Sequence, residues 1–250
     1  EVYALTGLKL KAQSPFSSHF NIELANGAEG YIPTPEQHAL GGYTTWPART
    51  AGLEVQAEPK IVATLLDALE KATGRKRRVM QDDHGPYANA VLRAKPAAYW
   101  RLNEAAGRVA LNAVAGVVAA RIRDGAAWYL PGVGSGTGTS AGERLTPSAF
   151  SGPKQINRAL HLAGGDVQAE VKNLGEHYSV ALWFWLGEAS GASERSGALV
   201  AGPGGESLGT RQSQDRRAQL VLDGSATQIE LRADDWHFAV LVREGNEVRL

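Results

Sequence analysis

The chain holds no cysteine, which removes thiolate metal sites, cysteine nucleophiles and disulfide frameworks together. What remains for chemistry in the first third is oxygen and imidazole. Glu36 and His38 lie two apart and offer the residue types of a general-base pair, yet no nucleophile or orienting partner stands at a recognised spacing from them. Tyr31 and Tyr43 are phenols in the segment from Gly30 to Pro47, which also carries Pro33, Pro35, Gly41 and Gly42. Judged on residue types alone, such tyrosines are aromatic anchors of an ordered loop, and ordered loops are where sites are often built.

Several elements must position these groups. Phe20-Asn21-Ile22-Glu23-Leu24 alternates as a half-buried strand does, and Asn26-Gly27 follows with turn chemistry. Pro59 suits a first helical position, Ile61, Leu65, Leu66 and Leu69 recur at helical spacing, and Gly74 suits a helix end, so one clear helix is expected there. Arg75-Lys76-Arg77-Arg78 and the residues to Tyr87 read as a basic linker. Four basic residues without interleaved aromatics do not make a nucleic-acid surface, and Lys plus Arg, 26, balance Asp plus Glu, 26.

Beyond Tyr87 the texture changes to short apolar runs separated by Gly, Ser and Asn. Strands are expected at Ala98 to Leu102, Ala159 to Leu162, Tyr178 to Leu186, Gly197 to Ala201, Ala218 to Leu222, Gln228 to Leu231 and Trp236 to Val242, with a turn over 243–246 and a return strand from Glu247. Many short strands and almost no helix argue for a sandwich or barrel. Val180, Leu182, Phe184 and Leu186 fall on one face of their strand and Ala181, Trp183 and Trp185 on the other. A strand apolar on both faces is expected in the middle of a packed sandwich. The Gly-rich stretch from Pro131 to Gly142 is expected to be a mobile loop. No apolar run approaches the ~20 residues of a membrane span, and no signal peptide opens the sequence. The first residue is Glu1 and the only methionine is Met80, so an upstream start is expected and a missing signal says little about export. The return strand from Glu247 has only about four residues, short for a hairpin, so a cut is expected at that end too.

The second part resembles the laminin G-like, concanavalin A-like family. The resemblance rests on Ala97-Ala98-Tyr99-Trp100-Arg101-Leu102-Asn103-Glu104, on Asn157 to Gly165, on Tyr178 to Trp185 and on Trp236-His237-Phe238-Ala239-Val240, four motifs in family order. It implies an all-β jelly-roll sandwich that binds carbohydrate or protein surfaces, sometimes with Ca²⁺. Asp166, Asp234 and Asp235 are then candidate calcium ligands, against the plainer reading of turn-forming acids. Trp100, Trp183 and Trp236 are candidate sugar-stacking residues, against the plainer reading of core aromatics.

The first part resembles the final portion of the catalytic domain of neutral/alkaline ceramidases. The matching residues are Glu1-Val2-Tyr3-Ala4-Leu5-Thr6-Gly7, Leu24 to Thr34, and Gly42-Tyr43. Carried over residue by residue, the resemblance makes Glu1 and Tyr31 zinc ligands and Tyr43 the phenol that faces the amide carbonyl. The Tyr31 to Tyr43 interval matches the family's, and the Glu1 to Tyr31 interval is somewhat shorter. By the same resemblance two histidine ligands lie upstream, and His19, His38 and His84 do not match them. The whole then reads as an α+β fragment of a hydrolase domain over 1–74, a linker over 75–87, and a jelly-roll sandwich over 88–250. The expectation is an exported zinc-dependent amidase, extracellular or in the cell envelope, whose sandwich binds a glycan, envelope or lipid-associated surface. The competing expectation is a non-catalytic surface-binding protein with a degenerate hydrolase domain. This piece alone is expected to hold zinc poorly and to be inactive.

Overall fold

The computed structural model describes residues 1–79, 84–123, 125–134, 157–187, 195–212 and 217–250. Met80 to Asp83 of the expected linker and residues 135–142 of the expected Gly-rich loop lie outside them. A small helical part at the N-terminal end is followed by mostly antiparallel β-structure. The chain divides into two compact units, Glu1–Gly132 with Ser148–Glu170, and Val133–Pro147 with Val171–Leu250.

The first unit opens with helix α1, Ala4–Gln13, and continues through α2, Pro35–Leu40, α3, Ala57–Thr73, and α4, Pro86–Arg93. The α3 helix ends where Gly74 takes a left-handed conformation (φ 65°) and its N–H returns to the carbonyl of Glu70 at 2.8 Å. Its buried stripe is Glu58, Val62 and Leu66 with Leu69 beside it, and Leu10 of α1 completes the cluster. Leu65 faces solvent instead, so the apolar period belongs to 62, 66 and 69. The same interface buries Glu58 against α1: Oε1 accepts from Thr6 Oγ1 at 2.9 Å, and Lys9 Nζ lies 3.1 Å from Oε2. A lysine and a threonine on the buried face leave α1 with no apolar period to read. The α4 helix buries only Ala88, which is equally silent in the sequence.

The segment expected to be a half-buried strand, Phe20 to Leu24, is not one. His19 bonds Ser14 Oγ through Nδ1 at 3.0 Å, Asn21 Nδ2 donates to the carbonyl of Gly7 at 3.3 Å, and Glu23 accepts from the N–H of Val2. Those three polar contacts run the length of α1, about 15 Å, within five residues, so the backbone is drawn out at nearly the strand rise of about 3.3 Å per residue. Alternation is therefore real but inverted. The polar side chains face the protein, and Phe20, Ile22 and Leu24 are 78%, 72% and 58% exposed. No strand among the described residues pairs with this segment. The Asn26-Gly27 turn does form, with φ of 63° and 147°.

The basic run is tied to the helices. Arg77 pairs with Asp67 and, at 2.9 Å, with Glu70 of α3. Arg78 donates through Nε to the carbonyl of Ser14 and through a guanidinium N–H to that of Lys11, both at 2.6 Å. The remainder of this unit is a three-stranded sheet of β1, Val109–Ala110, β2, Ala120–Ile122, and β5, Val167–Gln168, with a pair formed by β3, Ala126–Pro131, and β4, Arg158–Leu162. Ala110, Ala120, Ile122 and Trp128 form their core, on which Trp100, Leu102 and Leu160 pack. Ala98 to Leu102 is not a strand; Trp100 makes a single bridge, to Asn112.

The second unit places two antiparallel sheets over one core. One has the order β10, Ser225–Arg232, β9, Arg217–Leu222, β8, Ser207–Gln212, β7, Arg195–Ala201. The other has the order β12, Glu247–Arg249, β11, Asp235–Glu244, β6, His177–Leu186. Phe184, Leu208, Ala218, Leu220, Leu231, Ala239 and Leu241 interlock between them. β11 and β12 turn through Gly245-Asn246, where Gly245 has φ 63°, the positive first angle of a tight two-residue hairpin. β6, expected in the middle of a packed sandwich, stands at the edge of its own sheet among the described residues. Its outer face, Ala181, Trp183 and Trp185, is exposed or half-buried and is not core.

Candidate functional site

Three chain segments meet around the N-terminus. Val2 and Ile32 form a parallel bridge, the backbone nitrogen of Glu1 donates to the carbonyl of Gly30 at 2.6 Å, and Ile32 N–H donates to the carbonyl of Glu1 at 2.9 Å. Tyr31 N–H in turn donates to the carbonyl of Thr50 at 2.7 Å. These bonds hold Tyr31 beside Glu1. Tyr43 arrives on a single 3₁₀ turn, Tyr43–Thr45, entered through Gly41 and Gly42 with φ of 79° and 103°, angles that a side chain would strain. Its ring meets that of Tyr31 edge-on, centroids 5.7 Å apart and planes at 75°, a favourable aromatic geometry. Trp46 extends the row, 6.1 Å from Tyr43. Tyr43 is 67% exposed.

Glu1, Tyr31 and Tyr43 are thus neighbours. The phenol of Tyr31 is pushed above its ordinary range, first by desolvation, then by the nearby Tyr43 and the Glu1 carboxylate, and by its hydrogen bond with Tyr43. Free of any cation it is a neutral phenol, and a bound cation would act in the opposite direction. Glu1 and Tyr31 offer two oxygen donors where a zinc ion takes four ligands. Among the described residues no group of three or more His, Asp or Glu is placed to hold a metal, so these two do not by themselves fit zinc.

The histidines do not complete the set. Both ring nitrogens of His19 are engaged, Nδ1 with Ser14 and Nε2 with Asn21 Oδ1 at 2.8 Å. His38 lies on α2, whose cap is the Thr34 hydroxyl accepting from Gln37 N–H at 3.4 Å. Positions two apart on a helix do not face one another, and Glu36 turns to accept from Gly107 N–H at 3.0 Å. A Glu36–His38 base pair therefore does not assemble.

The candidate calcium-binding and sugar-stacking residues divide. Asp166 grips Arg123, with Nε to Oδ1 at 2.9 Å, and that guanidinium holds its carboxyl below the ordinary range. Asp234 sits in a turn with φ 58°, and Asp235 Oδ1 accepts from Trp236 N–H at 2.8 Å. Trp100 packs on the core of the first unit. Trp183 and Trp236 are half-buried on the outer face of the β6–β11 pair. Register sets Trp185 opposite Trp236 and Trp183 opposite Phe238, and residues directly opposite share a face. The rings touch, with centroids 5.8 Å and 5.0 Å apart. Trp185 and Phe238, exposed at 37% and 48%, complete a patch of four aromatic rings. Sequence reasoning named two of its members; the other two follow once the pairing register is known.

No family model matches the chain, and no curated protein or solved structure is detectably similar to it. No helix among the described residues is long and apolar enough to cross a membrane.

Proposed function

We propose that this chain carries one wall of a zinc-dependent amide hydrolase site of the neutral/alkaline ceramidase type, joined to a laminin G-like jelly-roll module that binds a surface. The observation that carries the reading is the meeting of Glu1, Tyr31 and Tyr43 from three separate segments, with the two phenols 5.7 Å apart. Zinc, where bound, supplies a hydroxide near neutral pH. The chain's own part is different: Glu1 and Tyr31, close enough for the carboxylate to act on the phenol, are two oxygen donors, and the exposed Tyr43 phenol is the donor to a developing amide oxyanion. Two donors are half of a zinc set, so the remaining ligands come from outside these residues and this chain alone is inactive. An extracellular or envelope location belongs to the same reading.

The natural protein from which the sequence comes is the material for the test. It is expected to contain zinc and to hydrolyse N-acyl amides, with Tyr43→Phe lowering kcat by ~10²–10³-fold, the usual cost of one oxyanion donor. Absence of zinc together with unchanged hydrolysis in Tyr43→Phe removes the enzyme.

A second reading is a non-catalytic surface binder, and the four-ring patch of Trp183, Trp185, Trp236 and Phe238 favours it. Exposed aromatic faces are platforms for apolar or sugar surfaces. A glycan array probed with the chain is expected to show binding that Trp185→Ala abolishes; uniform silence removes the lectin role.

A further inference from the structure

The turn that presents Tyr43 has little to hold it. It is entered through two glycines whose added Cβ atoms would meet nothing within 4 Å, and its internal bonds, from Thr45 N–H and Oγ1 to the Gly42 carbonyl at 3.0 and 2.8 Å, do not reach beyond the turn. Tyr43 itself is mostly in solvent, so burial does not fix its ring. Beside the hydrogen bond between the Tyr43 and Tyr31 phenols, a second polar tie leaves the turn: the Thr44 hydroxyl and the Tyr3 phenol are hydrogen-bonded at 2.6 Å across 41 positions of sequence, partly shielded from water. Tyr3 caps α1 and lies two residues from Glu1. The tie therefore joins the backbone segment that bears Glu1 to the turn that bears Tyr43.

We propose that Tyr3 and Thr44 are positioning residues, a hydroxyl strut that sets the Tyr43 ring against Tyr31 and Glu1. The inference rests on the reading of Tyr43 as the carbonyl-facing phenol, and adds what keeps it in place. Without the strut the ring swings about its glycine entry, and misplacement of a reacting group by about 1 Å costs ~10²-fold in rate.

Nuclear Overhauser contacts between the ring protons of Tyr31 and Tyr43, in the 250-residue chain with selectively labelled tyrosine, read the positioning directly and need neither metal nor substrate. The contact is expected in the unaltered chain, lost in Tyr3→Phe and in Thr44→Val, and retained in Thr44→Ser, all with unchanged circular dichroism. Persistence in both Tyr3→Phe and Thr44→Val overturns the strut, and so does loss in Thr44→Ser. The two ends of the bond are tested separately, so misfolding of one variant leaves the other to decide. In the natural protein the same variants are expected to lower kcat with KM unchanged. Hydrolysis absent from every form, with the ring contacts behaving as expected, removes the catalytic reading and leaves the strut standing.

Discussion

Gly30 has no room for a methyl group. A Cβ there would lie 2.3 Å from the carbonyl oxygen of Thr50, and φ is 81°, where a side chain is strained besides. Its carbonyl also accepts from the backbone nitrogen of Glu1, so one residue fixes the approach of both Glu1 and Tyr31. Gly30→Ala is expected to abolish the Tyr31–Tyr43 ring contact in nuclear Overhauser spectra; an intact contact would refute the packing. Glu70 makes a different prediction. Its bonds with Arg77 bring its pKa from 4.5 to about 2. A carboxyl depressed in the folded state is the more stabilising the more fully it is ionised in the unfolded chain. Its contribution is complete above about 4.5 and drains away as pH falls toward about 2. Thermal melts of Glu70→Gln are expected to be flatter than those of the unaltered chain across that window, and an identical slope would count against the pair.

At the scale of elements, α1 and α3 are held by a buried charge as well as by hydrocarbon. Glu58 is fully buried and satisfied by Thr6 and Lys9. Removing one partner of such a pair strands the other charge, which typically costs ~3–5 kcal/mol. Glu58→Ala is therefore expected to destabilise the chain by about that much in urea melts, more than an exposed acid such as Glu54 would. This charge also explains why α1 was illegible. Sequence periodicity registers apolar residues, and the buried face of α1 is Thr6, Lys9 and Leu10. The α3 helix was legible because Leu66 and Leu69 do recur and Gly74 ends it, although the reading put Ile61 and Leu65 in the stripe where the structure buries Val62. The strands after Tyr87 were legible for the same kind of reason: six of the seven expected runs, all but Ala98 to Leu102, lie on strands β4, β6, β7, β9, β10 and β11. β8 was not, since Ser207, Gly209, Thr210 and Arg211 carry no apolar alternation while Leu208 is wholly buried.

At the scale of the whole molecule, the two compact units each keep a core of their own. In the second unit Leu241 of β11 and Leu208 of β8 are wholly buried across the two sheets. Leu241→Ala leaves a cavity there and is expected to cost ~2–5 kcal/mol, measured as a lowered midpoint in denaturant. Which side of β6 faces that core could not be read from its composition, because both faces are apolar. Pairing with β11 decides it, giving Phe184 to the interior and Trp183 and Trp185 to the exterior. The proposed site was visible in the sequence only through a resemblance in which the Tyr31 to Tyr43 interval alone matched; what holds Tyr31 beside Glu1 is backbone bonding at Gly30, Ile32 and Tyr31, which no side-chain pattern announces.

The inverted alternation of residues 19–24 bears on how the chain behaves in a test tube. Phe20, Ile22 and Leu24 contribute nothing to any core, so they can be made hydrophilic without loosening the fold, while in their present form they offer adjacent molecules a greasy seam. Phe20→Ser with Ile22→Thr is expected to raise the concentration at which the chain precipitates and to leave its melting temperature where it was. Light scattering and calorimetry on the same samples would check both halves of that statement.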